Sequence, residues 1–396
     1  MKRICVITTS RADYGYLYWI MDGLQDSYNI GLQIICPANH QNFEEINDKF
    51  GKSLCRAASV FSINDFGDFY FSCLNLLRNL KPDIFLCVGD RFETMAAATA
   101  ALLLNIPIAH IHGGECTAGA FDNEIRNSIT QMATYHFTAT KEYAEKVGLM
   151  LGIKPFINYL ETNPYLPNPS VWDWCESYDM WYSVESYRGY YPDTHINIYN
   201  VGSPGLDWLH RTKLLSKQEL QQYVSIDLNQ PFIVACLHPV TRELLELEYQ
   251  TDEFMNALEK LDEQILLIRP NIDPGNEFIY KRIWRKSYYG KEIFKINNLD
   301  HLVYLSLLQY ASLMVGNSSS GIIESASFDL PSVSVGNRQA GRIRGSNVFD
   351  CPCETEAILD AIDRAREWNA TVGWCEKPYG DGKSSERIVK ILEEIP

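Results

Sequence analysis

The sequence lacks several features that would place it in a membrane or around a metal. It contains no run of about eighteen apolar residues, the length that a membrane-spanning helix needs. Residues 1–8 are a short apolar run without the longer hydrophobic core and cleavage site of a signal peptide, so we expect a cytoplasmic protein. The 11 cysteines include no Cys-x-x-Cys pair, which argues against a zinc or disulfide framework.

Positive charge is also scarce in this chain. The formal net charge is -15 and the pI is about 5.0, and no basic patch of the kind that binds nucleic acid is visible. Two common nucleotide-binding motifs are missing, the Walker loop Gly-x-x-x-x-Gly-Lys and the dinucleotide motif Gly-x-Gly-x-x-Gly. The acidic balance does not exclude a phosphorylated ligand, because single arginines and helix N-termini bind phosphate locally.

Apolar, strand-like runs alternate with helix-like stretches along the chain, which predicts parallel α/β sheets. In the first half, strands are predicted at 3–8, 31–36, 83–88, 107–111 and 135–139, and helices at 14–27, 67–80, 92–104, 122–133 and 140–151. After residue 205, strands are predicted at 231–237, 264–269, 292–295, 312–315 and 331–335, and helices at 251–262, 276–289, 300–310, 320–328 and 354–368. We predict an α/β protein with two Rossmann-like, doubly wound parallel-sheet domains and a cleft between them.

The predicted domains are 1–205, 206–375 and a C-terminal helix within 376–396 that packs back on the first domain. Residues 153–197 interrupt the first domain. They carry five prolines, which exclude a single helix, and many tryptophans and tyrosines, which argue against a disordered linker. We interpret this segment as an ordered insertion that packs on a domain face or on a partner subunit.

Polar clusters follow five of the apolar runs. They are Thr8 to Gly15, Gly89 to Glu93, His110 to Glu115, Leu237 to Pro239 and Gly316 to Gly321. Because ligands of open α/β sheets bind outside the carboxyl ends of the strands, we expect these clusters to form one site for a charged ligand.

Three carboxylates in or beside these clusters are candidates for acid/base chemistry. Asp90 directly follows an apolar strand, Glu115 lies in a glycine-rich turn, and Asp122 stands at the start of a predicted helix. Several carboxylates on adjacent strand ends can serve as general acids and bases. The alternative for Asp90 and Asp122 is that each caps a helix.

The histidines allow more than one interpretation. His110 and His112 alternate on a predicted strand and are expected to point to the same face. We predict hydrogen-bonding or acid/base roles for them and no metal, because no acidic or histidine partner stands at metal-ligand spacing. His238, before Pro239, is a candidate for a phosphate contact from the second half.

The segment Gly316 to Gly321 has the order strand, Gly/Ser turn, helix, which suits a phosphate. The alternative is a capped helix without a ligand. Arg338, Arg342 and Arg344 follow among glycines, where they can surround a diphosphate with paired hydrogen bonds or lie in a solvated loop. Arg11, after the first strand, has the same two interpretations.

These motifs resemble those of the hydrolysing nucleotide-sugar 2-epimerases, which convert UDP-N-acetylglucosamine to N-acetylmannosamine and UDP in sialic acid synthesis. The likeness runs in family order over about 1–152 and 198–395, and each motif alone is weak. The matching pieces are Ser10 to Gly15, Gly89 to Glu93, His110 to Glu115, Asp122 with Ile125-Arg126, Val201 to Gly205, His238 to Thr241, Arg269 to Asn271, Asp273 to Gly275, Gly316 to Gly321 and Gly341 to Gly345.

The resemblance implies a glycosyltransferase B-like fold, a homodimer and no cofactor. Its chemistry is elimination of UDP to a 2-acetamidoglucal, followed by hydration with inversion at C2. The implied catalytic residues are Asp90, His112, Glu115 and Asp122, with His112 at a position where some relatives carry Glu. The implied substrate-binding residues are Arg11, Asp13, His238, Asn271, Ser318, Ser319, Ser320, Glu324, Arg338 and Arg342.

Other functions stay open at this point. Related enzymes act on UDP-2,4-diacetamido-trideoxyhexoses or on GDP-N-acetylglucosamine, and the insertion 153–197 leaves the substrate undecided. A retaining glycosyltransferase has the same two-domain shape but needs an acceptor site and no C2 base. In a non-catalytic nucleotide-sugar-binding protein, the carboxylates on the sugar side would have no catalytic role. The carboxylates Asp90, Glu115 and Asp122 favour the epimerase.

Overall fold

The computed structural model describes residues 1–118, 120–152, 180–181, 197–270, 275–284, 292–297 and 299–395. The chain divides into two compact units. The first comprises Met1–Glu115, Asp122–Asp207 and Tyr379–Pro396, and the second comprises Cys116–Phe121 and Trp208–Pro378. The predicted insertion lies outside the described residues, apart from one two-residue strand and its last residue.

The first unit is built around an eight-stranded sheet in the order β3-β2-β1-β4-β5-β6-β8-β7. All its neighbouring strands are parallel except β7, which is antiparallel to β8. The strands are β1 Lys2–Ile7, β2 Ile30–Pro37, β3 Leu54–Ala57, β4 Ile84–Val88, β5 Ile108–Ile111, β6 Tyr135–Thr138, β7 Met180–Trp181 and β8 Asn197–Asn200. Its main helices are α1 Arg11–Asp26, α2 Phe43–Phe50, α3 Phe66–Leu80, α4 Phe92–Leu103, α5 Asp122–Met132 and α6 Lys141–Met150. The short helix α7 Asp207–Arg211 begins at the last residue of the segment Asp122–Asp207 and belongs to the second unit from Trp208 onward.

Both faces of this sheet are buried. Along β1, Ile4 and Val6 join one hydrophobic cluster while Cys5 and Ile7 join another, as the two-residue period of a strand requires. Helices cover each face, which is why the strands read as continuous apolar runs in the sequence. This architecture leaves the strand ends as the places where polar side chains collect.

The second unit contains a six-stranded sheet in the order β11-β10-β9-β12-β13-β14, parallel throughout. Its strands are β9 Phe232–Cys236, β10 Gln264–Ile268, β11 Ile293–Ile296, β12 Leu313–Gly316, β13 Ser332–Val335 and β14 Val348–Cys351. Its helices are α8 Lys217–Leu220, α9 Leu247–Glu259, α10 Asn276–Ile279, α11 His301–Leu308, α12 Glu324–Ser327 and α13 Thr355–Thr371.

The last helix, α14 Ser384–Glu394, belongs to the first unit. Ile388 and Leu392 lie in the same hydrophobic cluster as residues of α1. At its start, the buried carboxylate of Asp207 accepts hydrogen bonds from the backbone N–H groups of Ser384 at 3.0 Å and Ser385 at 2.6 Å. A carboxylate at a helix N-terminus satisfies orphan donors and complements the helix dipole.

Several elements differ from their predicted bounds. Helix α1 begins at Arg11 rather than at residue 14, because the Ser10 side chain accepts a hydrogen bond from the N–H of Asp13 and caps the first turn. The predicted helix 320–328 is a 3₁₀ turn followed by the short α12. The predicted helix 276–289 is α10 followed by one π-helical turn to Trp284, and the rest lies outside the described residues.

Candidate active site

The strand order of each sheet reverses at one point, between β1 and β4 in the first unit and between β9 and β12 in the second. Ligands of open α/β sheets bind outside the carboxyl ends of the strands at this switch point. Polar segments follow all four of these strands: Thr8 to Asp13, Gly89 to Glu93, His238 to Val240 and Asn317 to Ser320. Each unit therefore carries its own candidate site.

Four side chains form a buried network in the first unit. Glu115 contacts Nδ1 of His112 through Oε1, and its Oε2 lies 3.7 Å from Nη1 of Arg126. The second guanidinium nitrogen of Arg126, Nη2, donates to Oδ2 of Asp90. The Glu115 and Arg126 side chains are 2% and 4% exposed, whereas that of Asp90 is 21% exposed. Asp90 is therefore the carboxylate of this network that solvent, and hence a ligand, reaches most easily.

The turn that follows β5 shapes this network. His112 has a left-handed φ of 65°, and its N–H donates to the carbonyl of Phe137 at 3.0 Å. Gly114 has a φ of 83°, and a Cβ at this position would lie 2.6 Å from the carbonyl oxygen of Tyr143. Only glycine avoids both the strain and the clash at 114. The resulting turn returns the Glu115 carboxylate to the ring of His112.

The expectation that His110 and His112 share one face of a strand is wrong, because β5 ends between them. His110 remains on the strand, with Nε2 2.8 Å from the carbonyl oxygen of Gly89 and Nδ1 3.2 Å from Oγ1 of Thr130. Burial lowers the pKa of His110 to about 4, so its ring is neutral at pH 7. His110 thus holds the residue that precedes Asp90.

The first turn of α1, directly after the loop that follows β1, carries two of the predicted binding residues. Arg11 is the first residue of α1 and is half-buried. The buried carboxylate of Asp13 accepts hydrogen bonds from the backbone N–H and the hydroxyl of Thr9. Burial raises the pKa of Asp13, and the charge of Arg91 partly opposes this rise. The contacts of Asp13 give it a role in holding this loop.

Two further carboxylates stand at helix starts. Asp122 is the half-buried first residue of α5, the helix that also carries Arg126. Glu93, in the first turn of α4, is 5% exposed and pairs with Arg91 at 3.0 Å. Asp90 does not cap α4, which begins without a side-chain cap. Glu93 and Arg126 were not among the predicted site residues, although they lie in the motifs Gly89 to Glu93 and Ile125-Arg126.

In the second unit, the side chain of Asn317 ties the loops after β9 and β12 together. Its Oδ1 accepts from the N–H of His238 at 2.6 Å, and its Nδ2 donates to the carbonyl of the same residue at 2.8 Å. A Cβ on Gly316 would lie 1.9 Å from the carbonyl oxygen of Cys236, so the two strand ends require glycine there. Burial lowers the pKa of His238, and the charge of Arg338 acts in the same direction. His238 is thus kept as a neutral imidazole.

The Gly/Ser loop after β12 contains the 3₁₀ turn Ser319–Gly321. The side chain of Ser318 accepts from the N–H of Ser320, so Ser318 caps this turn. The hydroxyl of Tyr304 donates to Oγ of Ser320 at 2.6 Å. Burial raises the pKa of Tyr304, and the nearby charge of Glu324, itself 5% exposed, adds to the rise. Tyr304 is therefore a protonated donor that fixes the Ser320 hydroxyl.

The loop after β13 supplies the arginines. Nη1 of Arg338 donates to the carbonyl of Asn317 at 3.1 Å, which places this guanidinium beside the Gly/Ser loop. Arg342 is buried, with 8% of its surface exposed. Arg344 instead pairs with Asp350 and braces the loop. Of the three predicted arginines, Arg338 and Arg342 therefore remain candidates for binding a ligand, whereas Arg344 supports the loop after β13.

The predicted site residues lie in separate parts of the chain. The first unit carries Asp90, His112, Glu115, Asp122, Arg11 and Asp13. The second unit carries His238, Ser318, Ser319, Ser320, Glu324, Arg338 and Arg342. Asn271 lies outside the described residues. Within the part of the chain that the structure describes, no cluster of three or more His, Cys, Asp or Glu side chains is placed to hold a metal, and no helix is long and apolar enough to cross a membrane.

Each of the two doubly wound units carries polar groups at its strand ends, with buried acid/base groups in the first and a Gly/Ser loop with arginines in the second. The chain belongs to the UDP-N-acetylglucosamine 2-epimerase family, whose model matches residues 33–155 and 193–393. The predicted fold class of two Rossmann-like parallel-sheet domains is confirmed.

Individual relatives are similar over nearly their whole length. The chain is 30% identical over 411 residues to the hydrolysing UDP-N,N'-diacetylbacillosamine 2-epimerase of Legionella pneumophila, covering 100% of this chain and 97% of that protein. It is 28% identical over 422 residues to the polysialic acid biosynthesis protein P7 of Escherichia coli, covering 100% of this chain and 94% of that one. Its fold resembles the UDP-GlcNAc 2-epimerase of Neisseria meningitidis bound to UDP-GlcNAc, with a TM-score of 0.72, 16% identity and 100% coverage of both chains.

Proposed function

We propose that this chain is a hydrolysing 2-epimerase of a UDP-linked 2-acetamido sugar. It eliminates UDP to give a 2-acetamidoglucal and then adds water, so that the free sugar leaves with inverted configuration at C2. The substrate is UDP-N-acetylglucosamine or a close relative, and the product enters the synthesis of a sialic or related nonulosonic acid.

The observation that carries this proposal is the buried network of His112, Glu115, Arg126 and Asp90 in the first unit. Removing the C2 proton and returning a proton to C2 require acid/base groups, and this network supplies them at the ends of β4 and β5. A retaining glycosyltransferase needs no such base at C2. The role of Asp122, at the start of α5, is part of the same proposal.

The second unit is assigned to the nucleotide diphosphate. The Gly/Ser loop, the neutral imidazole of His238 and the buried Arg342 form a set of donors that suits two phosphates. The C2 proton of the sugar is not acidified by a carbonyl, so stabilising the departing UDP carries a large share of the rate acceleration. Glu324 is assigned to the ribose hydroxyls.

The test is NMR of the reaction in deuterated water, with UDP-N-acetylglucosamine and UDP-N,N'-diacetylbacillosamine as separate substrates. We expect UDP release together with deuterium at C2 of the inverted free sugar for one of them. Release of the uninverted sugar with its C2 protium retained would mean simple hydrolysis and would refute the epimerase. Transfer of the sugar to an added acceptor would establish a glycosyltransferase instead.

The name of the Legionella relative favours the diacetamido sugar, because that protein is 30% identical over the whole of this chain. The two substrates differ at C4 and C6, so their kcat/KM ratio measures this preference directly. A ratio above about tenfold in either direction, or about 1.4 kcal/mol, identifies the accepted substituents.

We also propose that the chain works as a cytoplasmic homodimer and that 153–197 packs near the dimer contact. The many tryptophans and tyrosines of this segment suit a buried interface. Replacing 155–197 by a short Gly/Ser loop should change the mass measured by light scattering or lower solubility before it changes turnover. A soluble dimer that has lost only substrate binding would make the segment a specificity element.

A further inference from the structure

Glu115 is held on both sides by other side chains. One carboxylate oxygen contacts His112 and the other lies 3.7 Å from Arg126, and the side chain is 2% exposed. Its backbone carbonyl also accepts from Nζ of Lys146 at 3.4 Å. A carboxylate whose two oxygens both face other side chains is poorly placed to take a proton from a substrate carbon. Its geometry is that of a group that orients another residue.

The residue that Glu115 orients is His112. A carboxylate at Nδ1 favours the tautomer with the proton on that nitrogen, which leaves the Nε2 lone pair as the basic position. Among the described residues, Nε2 has no hydrogen-bond partner although it is buried. The ring packs on Tyr16, with centroids 4.9 Å apart. His112 therefore presents a fixed imidazole with one uncommitted nitrogen.

The backbone conformation of His112 supports the same conclusion. A φ of 65° is uncommon for a residue other than glycine, and such strain persists where the surrounding structure enforces it. The hydrogen bond from its N–H to Phe137 and the contact with Glu115 enforce it here. This conformation follows the end of β5 at Ile111 and places the imidazole of His112 next to Glu115.

We infer, resting on the proposed function, that His112 exchanges the C2 proton and that Glu115 is its positioning residue. In the elimination, Nε2 takes the C2 proton and the C2–H electron pair becomes the C1=C2 double bond. The C1–O bond breaks and its electron pair leaves on UDP. The imidazolium so formed is compensated by the Glu115 carboxylate through Nδ1–H, as in other carboxylate–histidine pairs.

Other charged or titratable groups near this pair set its electrostatics. Arg126 lies between Glu115 and Asp90 and shares its positive charge between the two carboxylates. Lys146, His110 and Tyr16 also lie near this pair. Asp90, at 21% side-chain exposure, is open to ligand and is left for the second proton transfer that inversion needs.

The first test uses His112→Asn, Glu115→Gln and the double variant. Asn tolerates a left-handed backbone, and its amide can still donate to Glu115, so His112→Asn keeps that contact while it removes Nε2 and the ring that packs on Tyr16. We expect it to lower kcat by about a hundredfold or more, with UDP affinity and melting temperature nearly unchanged. His112→Gln is a second variant of the same kind. His136→Gln, at a buried histidine on β6, is the matched control and should retain activity.

Residues that act as one unit are not additive, so the double variant should be no slower than His112→Asn alone within about threefold. Fully multiplied losses in the double variant would overturn the pairing. The pH dependence of kcat/KM for Glu115→Gln gives a second readout. Loss of the negative charge disfavours the imidazolium, so the acidic limb should move to lower pH. A merely structural Glu115 would lower the rate at every pH without moving that limb.

The probes are UDP-N-acetylglucosamine and UDP-N,N'-diacetylbacillosamine, and the wild-type deuterium experiment comes first. If wild-type protein labels C2 and His112→Asn labels it equally fast, the inference about His112 is overturned while the proposed function stands. If wild-type protein releases sugar with C2 protium retained, the proposed function fails and the inference fails with it.

Discussion

The sites of the two units neutralise charge by different means. In the first unit, Arg126 holds Glu115 and Asp90, so the charged side chains are fixed by one another. In the second unit, neutral groups build the frame, because the amide of Asn317 joins the loops after β9 and β12 and the hydroxyl of Tyr304 fixes Ser320. Arg338, on the loop after β13, donates to the backbone carbonyl of Asn317 in this frame. Interlocked charges suit proton transfer at fixed distances, whereas a neutral frame with cations suits a bound anion.

This contrast predicts that removing one charged side chain lowers stability more in the first unit than in the second. Arg126→Met removes the cation that lies between two carboxylates, and Glu115 is only 2% exposed. Breaking a buried ion pair on one side typically costs about 3–5 kcal/mol, so we expect a loss of that size in urea unfolding together with loss of turnover. Arg126→Lys keeps the charge and should recover part of the stability. A Met variant within about 0.5 kcal/mol of wild type would show that the network is not electrostatically coupled.

The next prediction separates chemistry from binding. Asp122→Asn keeps the size of the side chain but removes its charge at the start of α5. We expect kcat to fall by about a hundredfold or more, the scale of a lost acid/base group, with UDP affinity by calorimetry nearly unchanged. Because Asp122 lies in the first unit, an equal loss of UDP affinity would contradict the division of roles between the units.

The next prediction concerns a residue of the second unit that is assigned to UDP binding rather than to proton transfer. Arg342→Ala should weaken UDP binding by about tenfold to a hundredfold, since hydrogen bonds to charged groups contribute about 1.5–3 kcal/mol. Arg344→Ala is the matched control, because this guanidinium pairs with Asp350 and braces the loop. Its effect on UDP affinity should be several times smaller. Equal effects of the two variants would mean that the loop as a whole, and not Arg342, binds the diphosphate.

Much of the fold follows from local sequence because buried parallel strands are continuous apolar runs, as in β4 and β9. The edge strand β3, with residues such as Arg56 on its exposed side, lacks such a run, so the sequence does not predict it. The start of α1 at Arg11 does have a local signal, because Ser10 and Asp13 stand at the spacing of a capping box.

The candidate site was predictable to a similar degree. Strand-end clusters identify Asp90 and Glu115 because the sheet topology dictates where polar residues collect. The contact between Arg126 and Asp90 joins residues 36 positions apart, on α5 and after β4, and no spacing rule indicates it. The different roles of His110 and His112 depend on one left-handed φ, which the sequence does not specify for a histidine.

The smallest predicted effect compares the response of the two units to acid. Burial lowers the pKa of His40, His110 and His136 in the first unit to about 4, 4 and 3, and in the second unit it lowers that of His238. An unfolded histidine has a pKa of about 6.5, so below that pH the unfolded chain binds protons that the folded chain does not. Each such residue therefore contributes stability that is complete above about pH 6.5 and is lost as the pH falls toward the folded pKa.

The loss amounts to at most about 1.4 kcal/mol per pH unit for each histidine. Melting temperature measured from pH 7 to pH 5 should fall less steeply in His136→Gln than in wild-type protein, because one of the titrating groups is gone. Since three of these four histidines lie in the first unit, hydrogen exchange should show that β5 and β6 lose protection at a higher pH than β9 and β12. Simultaneous loss of protection in all four strands would show that the two units unfold together, and their separate acid responses would then be indistinguishable.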